Sequence, residues 1–247
     1  MKHYGLLGFP LEHSFSAAYF AQKFRTENIV ARYDNYERSS IEDFRNWIED
    51  TQLVGFNVTI PHKKAVMPFL DAVSEEAATI GAVNVVKVER HCGQLFLRGY
   101  NSDVIGFTNS LLPLLETHHT HALVLGTGGA SQAVVYALEK LGIATHVVSR
   151  QPKEGQYSYN DVTPTLLKTC CLIVNCTPLG TYPKVDTCPH LPYEALTEQH
   201  LLYDLVYNPE ETLFLQKGRL QGAKTKNGYD MLVLQAEAAW QFWNEDI

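Results

Sequence analysis

The chain has 247 residues, of which 45% are hydrophobic and 19% charged, with a formal net charge of −7. That balance describes a globular protein rather than a disordered one, and the length allows one large domain or two small ones at ~100–200 residues each. The acidic excess, with no cluster of Lys and Arg, argues against nucleic acid or an anionic membrane surface as a partner, while a small anionic ligand could still be held by local groups.

Strand-like and helix-like patterns alternate from the start. A short strand is predicted near residues 3–8, a helix near 15–26 and a strand near 30–36. A further helix is predicted to open at Ser39-Ser40, where Ser40 with Asp43, or Ser39 with Glu42, fits a capping pattern. A strand near 53–60 runs into Asn57-Val58-Thr59-Ile60-Pro61-His62-Lys63. Proline lacks a backbone donor and cannot continue a central strand, so Lys63 is expected to project from a strand end, where open α/β sheets collect ligands.

After Asn101 the pattern becomes more regular. Apolar strand candidates at Ala122–Leu125, His146–Val148, Leu172–Val174 and Leu201–Val206 are separated by helical stretches. Near-continuous apolar strands alternating with helices suit a parallel sheet covered on both faces, so this half reads as a doubly wound nucleotide-binding domain. Tyr229 to Trp243 carries apolar residues at helical spacing and is predicted to be a long packing helix.

Gly126-Thr127-Gly128-Gly129-Ala130-Ser131 lies between the strand Ala122–Leu125 and the helical stretch Gln132–Leu141. Glycines there permit a tight turn and let a pyrophosphate approach the free N–H groups of a helix start. The second strand ends at Ser149-Arg150, where NAD-specific proteins usually place an acid on the ribose hydroxyls. Arg150, with Lys153 close by, offers donors to a 2′-phosphate instead, which favours NADP.

The five cysteines, Cys92, Cys170, Cys171, Cys176 and Cys188, are odd in number and form no C-x-x-C pair, so no disulfide framework or metal site is expected. No run approaches the ~20 apolar residues of a membrane span, and Pro10 with Glu12-His13 interrupts the N-terminus before a signal-peptide core. A cytoplasmic protein with reduced thiols is the reading.

Taken singly, Ser14 and Ser16 would be helix caps, Asp103 an N-cap and Lys63 a solvated charge. As an ordered set, the motifs change that. The block from Gly8 to Ser16 fits G-x-P-x-x-H-S-x-S, and Asn57 to Lys63 fits N-V-T-x-P-x-K. Gly81-Ala82-Val83-Asn84, Asn101-Ser102-Asp103-Val104-Ile105-Gly106, the glycine turn, Asn175-Cys176-Thr177-Pro178-Leu179-Gly180, Tyr203 to Pro209 and Gly228 to Gln235 follow in order. Together these resemble the shikimate dehydrogenase family across nearly the whole chain.

The resemblance implies two α/β domains: a substrate-binding domain of residues 1–102 completed by 228–247, and a Rossmann-like NADP-binding domain of residues 103–227. It implies reversible NADP-dependent reduction of 3-dehydroshikimate to shikimate on the route to chorismate and the aromatic amino acids, by a monomer or homodimer. Lys63 and Asp103 would be the catalytic pair at the hydroxyl oxidised at C3. Ser14 and Ser16, with Thr59 and Tyr207 near them, would hold the carboxylate, and Asn84, Asp103 and Gln235, with Asn57, the ring hydroxyls. Gly126, Gly128, Gly129, Ala130, Ser131, Ser149, Arg150, Thr177, Leu205 and Gly228 would line the cofactor.

The chain departs from the family pattern at Ala17, Ser102, Ser149 and Gln151, the last two loosening the NADP assignment. Alternatives are a quinate/shikimate dehydrogenase using NAD, against which Ser16 and Arg150 argue, and a methylene-tetrahydrofolate dehydrogenase, whose large pterin suits Ser14 and Ser16 less well than a small carboxylate does. A non-catalytic dinucleotide-binding regulator would be expected to lack Lys63 or Asp103.

Overall fold

The computed structural model describes residues 1–11 and 14–244, so Glu12 and His13 of the first motif lie outside the described residues. The first ten elements are β1 (Lys2–Gly8), α1 (Phe15–Thr26), β2 (Ala31–Glu37), α2 (Phe44–Asp50), β3 (Leu53–Val58), β4 (Ala72–Val73), α3 (Glu75–Ile80), β5 (Val85–His91), β6 (Gln94–Tyr100) and α4 (Asp103–Leu111). Their strands form one sheet in the order β2-β1-β3-β5-β6-β4. β1 pairs parallel with both β2 and β3, whereas β5 runs antiparallel to β3 and β6.

Burial on both faces explains the apolar runs of the central strands. Val85 joins a cluster with Tyr4, Phe20, Phe24, Tyr100 and Trp243, while its neighbour Val86 joins Leu7, Phe44, Ile48 and Phe56, as the period-2 alternation of a strand requires. Since β2 and β3 flank β1 on opposite sides, the segments after β1 and β3 leave from adjacent strand ends, the place where such sheets bind ligands.

The remaining elements are β7 (His121–Leu125), α5 (Gly129–Lys140), β8 (Ala144–Ser149), β9 (Tyr157–Ser158), α6 (Pro164–Thr169), β10 (Leu172–Asn175), β11 (Leu201–Asp204), α7 (Leu213–Leu220), β12 (Lys224–Lys226) and α8 (Tyr229–Asn244). All neighbours in this second sheet are parallel, in the order β12-β11-β10-β7-β8-β9. That is the doubly wound 3-2-1-4-5-6 order, with its switch point between β7 and β10. The α/β class with two domains is therefore as expected.

Contacts divide the chain into Met1–Ile105 with Gln235–Ile247, and Gly106–Leu234. The sequence reading placed these divisions after residues 102 and 227; they fall instead inside α4 and α8. Among the described residues no helix is long and apolar enough to cross a membrane, and no group of three or more His, Cys, Asp or Glu could hold a metal ion.

Several local expectations need correction. The helix predicted at Ser39-Ser40 begins at Phe44, because the Ser40 hydroxyl accepts from the Glu42 N–H in a turn and Asp43 is drawn to Arg38 at 2.5 Å instead of capping. The strand predicted to residue 60 stops at Val58, where the chain turns and the His62 N–H donates to the Thr59 carbonyl at 2.9 Å. The strand predicted to Val206 stops at Asp204, whose carboxylate accepts the Val206 N–H at 3.0 Å. The β5–β6 hairpin was not predicted; its turn uses Cys92 and Gly93 at φ 51° and 82°, the paired left-handed geometry of a two-residue turn.

Candidate active site

Strand ends in the first unit bring the predicted polar residues together. Pro61 turns the chain after β3, and the Val83 N–H donates to the Lys63 carbonyl at 2.8 Å, tying that turn to Gly81–Asn84. From there the Lys63 Nζ donates to the Asp103 Oδ2 at 2.6 Å. The two side chains are 16% and 9% exposed, so the pair is poorly solvated and its attraction is stronger than that of a surface pair.

Asp103 opens α4 and is fixed at both its backbone and its side chain. As the first residue of α4, its N–H is taken by the Asn101 Oδ1 at 3.0 Å, and Asn101 Nδ2 in turn donates to the Ala82 carbonyl at 2.9 Å. The Asp103 carboxylate faces Lys63 and Asn84, whose Nδ2 donates to Asp103 Oδ1 at 2.8 Å. Asn84 Oδ1 accepts the Ser102 N–H at 2.7 Å, and the Ser102 hydroxyl donates to Gln235 Oε1 at 3.3 Å. Asn84 is thus used from both ends, which holds Asp103 in one orientation.

Other predicted residues are placed as follows. Ser14 caps α1 by accepting from the Ala17 N–H at 3.4 Å, and Ser16 lies in the first turn of that helix. Asn57, 4% exposed on β3, donates from Nδ2 to the Asn84 carbonyl at 3.3 Å. Thr59 is half-buried beside the end of β1. Tyr207 belongs to the second unit, after β11, where burial pushes its phenol pKa up. Tyr33 of β2, not singled out in the sequence, donates from its hydroxyl to Asn57 Oδ1 at 2.8 Å. Its alternate placement with Ala31 along β2 was the available signal, since both pack on the α1 side of the sheet.

The second unit carries the glycine turn. Gly126 at the end of β7 has φ +112°, and a Cβ there would lie 3.2 Å from the Thr177 methyl, so the close approach at the switch point requires glycine. The Ser131 hydroxyl donates to the Gly126 carbonyl at 2.7 Å, folding the turn onto the first turn of α5, which Gly129 and Ala130 open. At Gly128 a Cβ would meet nothing within 4 Å, so open space faces the helix start and its free N–H groups. Ser149 closes β8 by accepting the Gln151 N–H at 3.2 Å, and Arg150 beside it is exposed.

Behind the turn, Asn175 organises the loop after β10. Its Oδ1 accepts from the Thr177 N–H and hydroxyl at 3.0 and 2.6 Å, its carbonyl from the Leu205 N–H at 3.0 Å, and its Nδ2 donates to Asp204. Asp204 is fully buried, and that burial pushes its pKa up to about 6 against hydrogen bonds from Thr212, the Val206 N–H and Asn175. Gly228 packs so closely that a Cβ would lie 2.2 Å from the Leu205 carbonyl oxygen. An open helix start with a cationic residue at the end of the second strand suits a dinucleotide that carries an extra phosphate.

A family model described as the shikimate dehydrogenase substrate binding domain matches residues 6–86. The shikimate dehydrogenase (NADP(+)) of Caldanaerobacter subterraneus subsp. tengcongensis is 35% identical over 260 residues, covering 98% of this chain and 91% of that protein. Among solved structures, a chorismate mutase/shikimate 5-dehydrogenase fusion protein from Clostridium acetobutylicum superposes with TM-score 0.87 at 35% identity, over 99% of this chain and 91% of the other. Shikimate 5-dehydrogenase from Thermus thermophilus in complex with NADP(H) and shikimate gives TM-score 0.86 at 31% identity, over 99% and 94%.

Proposed function

The chain belongs to the shikimate dehydrogenase family, and on that premise we propose that it catalyses the reversible NADP-dependent reduction of 3-dehydroshikimate to shikimate, in the route to chorismate and the aromatic amino acids. The observation that carries the residue assignment is the 2.6 Å contact of Lys63 with Asp103, held from behind by Asn84.

The first unit binds the substrate and the second the cofactor. NADP, when bound, supplies the acceptor or donor of hydride. The protein must then move one proton at the substrate hydroxyl, and Lys63 is the general acid/base for it. Asp103 orients both the hydroxyl and Lys63. Asn84 and Gln235, with Asn57, hold the ring hydroxyls; Ser14 and Ser16, with Thr59, hold the carboxylate.

On the cofactor side Gly126, Gly128, Gly129, Ala130 and Ser131 cradle the pyrophosphate. Thr177, Leu205 and Gly228 line the remainder, while Ser149 and Arg150 take the 2′-phosphate. The mixed donors and acceptors at the substrate site and the donors at the helix start match a small polyhydroxy acid and an anionic cofactor respectively. The reading places the enzyme in the cytoplasm as a monomer or homodimer, a state that sedimentation would establish.

The direct test is NADPH formation from shikimate, run beside quinate and beside NAD. Turnover with shikimate and NADP well above the other combinations is expected. Comparable efficiency with quinate and NAD would instead make this a quinate/shikimate dehydrogenase, and dinucleotide binding without turnover would make it a regulator.

A further inference from the structure

Tyr33 stands behind the substrate residues without having been one of them. Its ring is stacked on Phe20 at 4.7 Å between centroids and 15° between planes, and it lies 6.4 Å from the Trp243 ring, so the phenol has a fixed position in the aromatic cluster of the first unit. Its hydroxyl donates to Asn57 Oδ1 at 2.8 Å. Asn57 Nδ2 is committed to the Asn84 carbonyl, which leaves Oδ1 as the atom that Tyr33 must hold. The single phenol proton is spent on Asn57, so the stacked ring fixes where that amide oxygen sits.

Asn57 is assigned to the ring hydroxyls of the substrate, so the Tyr33 hydroxyl stands directly behind a binding residue. The chain of contacts continues from Asn57 to Asn84, and from Asn84 to Asp103 and Lys63. Burial pushes the phenol pKa far up, so the donor persists across the working pH range.

We propose that Tyr33 is a positioning residue for substrate binding, whose hydroxyl holds Asn57 and, through it, the Asn84 contact in place for the ring hydroxyls. The inference rests on the functional reading above. Tyr33 touches neither the reacting hydroxyl nor the Lys63–Asp103 pair, so its loss should appear in binding rather than in the chemical step.

The test is Tyr33→Phe, which deletes the hydroxyl and keeps the ring stacking. Losing a buried hydrogen-bonding hydroxyl should raise the KM for shikimate ~3–10-fold, with kcat and the KM for NADP changed less than about twofold. A merely structural role would move both KM values or neither. Because the phenol acts through Asn57, a cycle with Asn57→Ala should be non-additive, the double variant raising KM by less than about twofold beyond Asn57→Ala alone. If Tyr33→Phe melts well below wild type, the cycle still decides: non-additivity in KM supports the coupling, and additivity overturns it. An unchanged KM for shikimate in Tyr33→Phe, beside an active wild type, overturns the proposal alone. Absence of shikimate turnover in the wild type overturns the functional reading, and this inference with it.

Discussion

Lys63 and Asp103 illustrate how a common residue type becomes a specific chemical group. A lysine after a strand is ordinarily solvated, but here it lies 2.6 Å from a carboxylate that is itself held by Asn84. General acid–base catalysis contributes ~10²–10⁴-fold, so Lys63→Ala should lower kcat by about that factor. NADP affinity, measured by fluorescence titration of the dinucleotide, should be retained, because Lys63 belongs to the other unit from the glycine turn. Near-normal turnover in this variant would remove Lys63 from the mechanism. The functional types at these positions were legible in the motifs; the orientation of Asp103 was not, since it depends on Lys63 and Asn84, which lie 40 and 19 residues away in the chain and hold the carboxylate from two sides.

At the scale of elements, two glycines of the cofactor unit make opposite predictions. At Gly128, the N-cap of α5, a methyl would enter open space that the cofactor pyrophosphate is proposed to use. Gly128→Ala should leave the melting temperature nearly unchanged while raising the KM for NADP about 10–100-fold, the loss of one or more hydrogen bonds to a charged group. Gly228→Ala should behave differently, since its Cβ would lie 2.2 Å from the Leu205 carbonyl oxygen and the backbone must shift. A drop in melting temperature of several degrees is expected there, from an overpacking cost of ~1–3 kcal/mol. Thermal melts and NADP titrations of the two variants separate these outcomes; equal melting temperatures would show that the Gly228 contact relaxes freely. The glycine pattern was visible in the sequence, but not which glycine faces space and which faces backbone. That distinction depends on the loop after β11, which is remote in the chain.

At the scale of the whole molecule, pH acts through buried groups of the second unit. Asp204 has its folded pKa raised to about 6, by burial first. The native state therefore binds the proton more tightly than the unfolded chain, and this group's contribution to stability is present in acid and lost as pH rises through about 6. His119 and His146 run the other way: burial first, and then the neighbouring His118 and His121 respectively, lowers their pKa values, so their contribution is lost as pH falls below the ordinary histidine range. Asp204→Asn removes the acid-side term and also sets an amide donor against the donors from Asn175, Val206 and Thr212. The variant should melt below wild type, by most in acid. The gap should narrow by the equivalent of a few kcal/mol between about pH 4 and about pH 6, then stay level. Melts across that range check it, and a gap independent of pH would show that Asp204 titrates like an exposed carboxylate.

Composition, the strand–helix alternation after Asn101 and the ordered motifs determined the class of fold, the family and the identity of most candidate residues, because those depend on residue type and local period. What only the tertiary structure decided were partners and ends. Ser40 and Asp43 lost their capping roles to a turn and to Arg38, β3 and β11 stopped short, and Tyr33 entered beside Asn57. At Ser40, Asp43 and the two strand ends the winning partner lies within five residues, one of several nearly equal local choices that residue type and period do not rank. At Tyr33 the partner is a group that only folding brings near, as Asp103 is to Lys63 across 40 residues and Gln235 to Ser102 across 133.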